Sequence, residues 1–178
     1  QIMVAATFHE LDAAVDKAGK ASYTKKSGAP HNWDEVWAYY HGQIVAQRIL
    51  GVDARADHTA VPRVTFTDPE IASVGLSEAA ARAQGLDVSV VRVDPAETAR
   101  GYIHDFRGGA LKLVADRARG VLVGATWVSP RAGESLGELV LAVKLGIPLK
   151  TLADVIHPFP AFNRVLGEGL GELAAKVA

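Results

Sequence analysis

Few side chains in this 178-residue chain stand where they could do chemistry. There is no cysteine, so no thiolate nucleophile, disulfide or dithiol exchange arises within it. Six histidines remain, and imidazole is the side chain that titrates near neutral pH. His157, in IHPFPAFNRVLGEGL (Ile156–Leu170), has two readings. It lines an active site, or it is a helix-end histidine hydrogen-bonded to backbone. His9-Glu10 lacks the second histidine four residues on that a zinc-protease helix needs. His31 and His41 flank a helix start without ligand spacing, so no metal site is expected. Gly167, Gly169 and Gly171 are glycine-rich, but no strand precedes them. They read as close helix packing against a partner rather than a phosphate-binding turn, and no G-x-G-x-x-G occurs. Ser129–Ser135 lacks the G-x-S-x-G of a nucleophile elbow. Lys25-Lys26 reads as a solvated loop. Trp33, Trp37, Tyr39 and Tyr40 recur at helical spacing, as core or interface or as a ligand platform.

Composition limits the classes further. Net charge is −1, with 49% hydrophobic and 22% charged residues. That is a globular balance, without broad attraction for nucleic acid or acidic membrane. No apolar run approaches the 18 or so residues of a membrane span. QIMVAATFHELDAAVDKAGK lacks the form of a secretory signal and does not begin with Met; the chain is expected to be cytoplasmic and a piece of a longer protein.

The elements that must position these residues divide into three parts. Residues 1–33 carry a short helix around His9–Asp16 and a polar, basic loop over Lys17–Pro30. Residues 34–60 begin with a helix capped by Asp34. Its apolar side is Val36, Tyr39, Tyr40, Ile44, Val45 and Ile49, and Gly51 is its stop. From residue 61 to 178 the pattern is α+β. Strands are predicted at Val61–Phe66, Ile71–Val74 and Val88–Val93, with a hairpin of Ala110–Ala115 and Val121–Val128. Ser77 caps a helix stopped by Gly85. In the hairpin's second arm Val121, Val123, Ala125 and Trp127 share one face and Leu122, Thr126 and Val128 the other, so both faces are covered. Ser129 as cap with Pro130 at the first helical position predicts a long helix to Gly146. Pro148 opens a short helix. Asn163 caps the last, with Leu166, Leu170, Leu173 and Val177 on one side. The result is an antiparallel sheet with helices gathered on one side.

This order, with PRVTFTDPEIASVGLSE, GGALKLVAD, GVLVGATWVSPRAGE and HPFPAFNRVLGEGL, resembles the C-terminal dimerisation domain of the class I pyridine nucleotide–disulfide oxidoreductases. Dihydrolipoamide dehydrogenase, glutathione reductase and mercuric reductase belong to that group. The match runs from about Val61 to Ala175, and its most specific part is Pro62, Phe66, Thr67, Pro69, Glu70 and Gly75. AYYHGQIVAQRILG (Ala38–Gly51) resembles the last helix of the flavin-binding domain. The Gly-Asp that normally precedes that helix is absent, and Glu35 and Val36 occupy the pair that opens it beside the flavin.

The resemblance implies FAD and NAD(P)H in an intact enzyme, with hydride passing from NAD(P)H to flavin and on to an acceptor. It implies no cofactor on this chain alone. Its disulfide-reducing members carry His-Pro in the closing segment, with a Glu four residues after that Pro. The Pro maps to Pro160, so Phe159 stands at the histidine and Arg164 at the glutamate. Phenylalanine does not titrate and guanidinium stays protonated, which argues against lipoamide or glutathione as substrate. His157 matches a histidine often found two residues earlier. The resemblance further implies that Phe159 and Pro160 lie against the partner's flavin, and that Leu139, Val143, Phe159, Phe162, Leu166 and Leu170 form a dimer interface. Two functions follow. One is the dimerisation part of a flavin-dependent NAD(P)H oxidoreductase, pairing as a homodimer or with a full-length relative. The alternative is a stand-alone, non-enzymatic dimerisation module or truncated relic.

Overall fold

The computed structural model describes residues 41–177. The short helix near His9, the Lys17–Pro30 loop, Asp34 and the aromatic cluster at Trp33–Tyr40 lie outside them. Two compact units meet after Asp57. Of the first, residues 41–49 are helical (α1). Gly51 ends this helix at φ +81°, where the Val52 N–H reaches the Gln47 carbonyl at 2.9 Å.

The second unit, His58–Ala178, is built on five antiparallel strands: β1 (Arg63–Thr65), β2 (Glu70–Gly75), β3 (Val88–Val93), β4 (Ala110–Asp116) and β5 (Val121–Ser129). Their spatial order is β1-β2-β5-β4-β3. Ala72 faces Trp127, and Leu113 faces Ala125 on one side and Val91 on the other. The helices are α2 (Glu78–Ala83), α3 (Ala99–Ile103), α4 (Ala132–Ser135), α5 (Gly137–Leu145), α6 (Leu149–Ala153) and α7 (Val165–Val177).

The main core lies between one sheet face and α4–α7. It holds Ala72, Val74, Leu111, Leu113 and Trp127 against Leu136, Leu139, Leu152, Leu166 and Leu170. The expected α+β architecture is therefore present, with the late helices on one face. The short α2 covers part of the other face, where Ala81 packs with Val88, Val114, Val121 and Val123. Ser77 caps α2 through its hydroxyl oxygen, which accepts from the Ala80 N–H, and Gly85 follows at φ +78°.

Three local expectations are corrected. Strict alternation put Leu122 opposite Ala125 and Trp127, but a β-bulge intervenes. Val114 pairs with Gly124 and Ala115 with Leu122, which leaves Val123 over. The extra residue returns Leu122 to the main core beside Trp127 and sends Val123 to the α2 side. A glycine is needed here because a Cβ on Gly124 would strike the Leu76 carbonyl oxygen. Second, the long helix does not start on Ser129-Pro130. β5 runs through Ser129, α4 begins at Ala132, and the run breaks at Leu136. The N-terminal N–H of Gly133 is taken by Glu70 Oε2 of β2 at 2.8 Å, a cap supplied across the fold. Third, Asn163 does not cap α7. A 3-10 turn, Phe162–Arg164, precedes that helix, and Asn163 Oδ1 is buried without a hydrogen bond.

Candidate functional site

The closing segment forms a crest between α6 and α7. Asp154, Val155, Ile156, Pro158 and Phe159 are all exposed, and His157 alone among them is buried. Ile156 is 95% exposed and Phe159 69%. The Phe159–Pro160 peptide is cis. A cleft of about 460 Å³ runs along this crest, lined by Thr98, Ile156, His157, Phe159, Arg164 and Glu168 among others.

Phe159 and Arg164, the two substituted positions, meet each other. The Arg164 guanidinium carbon stands 5.3 Å from the centroid of the Phe159 ring, a cation–π contact worth about 0.5–1 kcal/mol at an exposed site. This pair holds a fixed positive charge and an apolar face, and neither group can accept a proton near neutrality.

His157 fits neither sequence reading closely. It lines the cleft, but its side chain is only 4% exposed, and Nε2 lies 2.9 Å from Glu138 Oε2 on α5. Its partner is a carboxylate 19 residues earlier, not helix-end backbone. The other ring nitrogen faces α7, where a Cβ on Gly167 would stand 3.5 Å from Nδ1.

The expected interface residues separate sharply. Leu139, Leu166 and Leu170 have no exposed surface, and Val143 and Phe162 are buried as well. Leu139, Val143, Leu166 and Leu170 pack in this chain's own core, Phe162 is enclosed beside it, and of the six only Phe159 is exposed. Phe162 is covered because α3, which the sequence reading passed over, brings His104 and Phe106 to 5.2 and 6.2 Å from its ring. The signal for α3 was Thr98, whose hydroxyl oxygen accepts from the Gly101 N–H at 3.1 Å. On α5, Leu141 and Leu145 are exposed, at 57% and 69%.

Gly167, Gly169 and Gly171 lie inside α7, and none has positive φ. A Cβ on Gly169 would press on Leu113 and Val93 at 3.0 and 3.2 Å, so this glycine serves close packing on the chain's own sheet. These three glycines thus form no phosphate-binding turn. Among the described residues, no group of three or more metal-ligating side chains occurs, and no helix is long and apolar enough to cross a membrane.

The model of the pyridine nucleotide-disulphide oxidoreductase dimerisation domain matches residues 61–169. A second model, low iron-inducible periplasmic protein, matches residues 2–55, a stretch mostly outside the described residues. The dihydrolipoyl dehydrogenase of Geobacillus stearothermophilus is 36% identical over 141 residues, covering 79% of this chain and 28% of that protein. That of Halobacterium salinarum is 39% identical over 127 residues, covering 71% and 27%. Among solved structures, the HOCl-induced flavoprotein disulfide reductase RclA from Escherichia coli aligns at TM-score 0.68 and 25% identity, covering 79% of this chain and 32% of that one. LpdA from Mycobacterium tuberculosis aligns at 0.66 and 24%, covering 84% and 31%; at that identity the likeness is one of fold. The chain spans less than a third of the length of each of these relatives.

Proposed function

This chain belongs to the pyridine nucleotide-disulphide oxidoreductase family through its dimerisation domain, and from that premise we propose that it forms a two-fold dimer, with itself or with a full-length relative. Its crest, Phe159 and Pro160 foremost, walls the partner's flavin site in an intact oxidoreductase. The observation that carries this reading is the 69% exposure of Phe159. With Val155 and Ile156 beside it, also exposed, this ring forms an apolar patch of the kind that marks a docking surface, and a two-fold axis supplies cover from the same patch.

FAD and NAD(P)H belong to the intact enzyme in this reading, and the unit from residue 61 to 178 holds neither. Residues 34–60 form the end of a flavin-binding domain and the linker after it, and residues 1–33 are an N-terminal segment with no assigned role. The compartment is the cytoplasm, where the NAD(P)H pool is. The acceptor is not a dithiol whose turnover needs a His–Glu pair, because Phe159 and Arg164 hold those positions. Light scattering on the purified chain at tens of micromolar tests the pairing. A mass twice that of one chain is expected, and a single-chain mass throughout would overturn it. A dimeric, colourless preparation with no FAD uptake fits the assignment of cofactors elsewhere; stoichiometric FAD uptake contradicts it.

A further inference from the structure

The crest is long for its supports. Leu152 before it and Phe162 after it are buried, and nine residues lie between. The backbone of residues 156–160 makes no hydrogen bond to another backbone group among the described residues. Fixing each such residue costs about 1–2 kcal/mol of conformational entropy, so side-chain ties matter here, the Arg164–Phe159 contact at one end and a buried one before it. His157 is the one side chain between Asp154 and Phe159 that is buried, and its polar partner is Glu138, at 2.9 Å.

Among the described residues, Glu138 makes no other side-chain hydrogen bond, and its Oε1 is buried without a partner. It sits in the first turn of α5, and Leu141 and Leu145 follow at i+3 and i+7, on the same side of the helix. Exposed apolar side chains therefore accompany both partners of this bond. On one side are Ile156 and Phe159, flanking His157 in sequence; on the other are Leu141 and Leu145, sharing a helix side with Glu138.

We propose that Glu138 and His157 are positioning residues: their hydrogen bond fixes the crest to α5 and so sets where Phe159 and Ile156 stand relative to Leu141 and Leu145. The proposal rests on the reading of the crest as a partner surface, since a surface that meets a second copy needs both apolar groups held in one arrangement. The bond is not catalytic. The imidazole is enclosed and already partnered, and it acts through the loop that carries it.

The test uses a trifluoromethyl-phenylalanine label placed at position 159 of the full chain, with a second preparation labelled at Phe66. Phe66 is equally exposed but lies between β1 and β2. In Glu138→Ala the fluorine resonance at 159 is expected to shift and narrow as the crest becomes mobile, while that at 66 stays. Glu138→Gln, whose carbonyl still accepts from imidazole, restores the wild-type resonance. His157→Asn, with a shorter reach, behaves as Glu138→Ala and serves if that variant fails to fold. Dimer dissociation is expected to rise at least tenfold in the Ala variant and not in Gln. An unmoved resonance at 159 in both Glu138→Ala and His157→Asn, or equal movement at 66 and 159, overturns the proposal. A wild-type chain that is monomeric contradicts the partner-surface reading alone; the fluorine comparison then still decides the anchor.

Discussion

At the residue scale, stability and surface part company among the apolar residues expected at the interface. Leu170 is enclosed in the core and Phe159 stands out from it. Leu170→Ala should cost about 2–5 kcal/mol, since it leaves a cavity that the sheet above cannot fill. Phe159→Ala should lower single-chain stability by less than about 1 kcal/mol, because it gives up one exposed cation–π contact. Urea unfolding of both variants, with pairing followed separately, checks this. Equal losses would mean that Phe159 belongs to the core. The chemistry at Phe159 and Arg164 was legible, because titration follows from residue type alone. Their mutual contact and the Glu138 partner of His157 were not. A hydrogen bond across 19 residues has no local spacing rule, and burial of Leu139 or Leu166 depends on what the sheet presents to them.

At the element scale, most strands and the α2 cap could be read from alternation and from Ser77 and Gly85. The shortfall came where one element completes another. Glu70 of β2 caps α4 from across the fold, so Glu70→Ala leaves a helix-terminal N–H without its partner. It should cost about 1–3 kcal/mol in thermal or urea unfolding, and a variant as stable as wild type would remove Glu70 from that role. The β5 bulge was equally hidden, because an extra residue breaks the period of two that a face assignment relies on.

Strand β4 and helix α2 are also joined by charge. Lys112 Nζ lies 2.7 Å from Glu78 Oε2, and Arg82 meets the same carboxylate at 3.1 Å. The hydrogen bond from Lys112, then that from Arg82, holds Glu78 below its ordinary value of 4.5. A depressed carboxylate contributes stability that is present above the unfolded-state pKa and lost as pH falls through the folded one. Lys112→Met should therefore raise the Glu78 midpoint, read by carboxyl-carbon NMR, and shrink the stability difference between pH 6 and pH 3. An unmoved midpoint would show that Lys112 does not set it.

At the scale of the whole molecule, the dimerisation-domain fold could be recognised from the TDPE segment and the closing motif. Helical stripes alone do not separate a partner surface from side chains that pack on the chain's own sheet. Helices α5 and α7 present their regular apolar sides to their own sheet, and the partner surface proposed above is the irregular crest with the outer side of α5. Phe159 and Ile156 of the crest and Leu141 and Leu145 of α5 are all exposed. The most direct measurement of this account is sedimentation equilibrium on the wild-type chain and on Phe159→Asp, across nanomolar to tens of micromolar concentration. The account predicts a wild-type monomer–dimer equilibrium and a variant shifted at least tenfold toward monomer with its thermal unfolding unchanged. A wild-type chain that stays monomeric, or a variant that pairs as tightly as wild type, would contradict it.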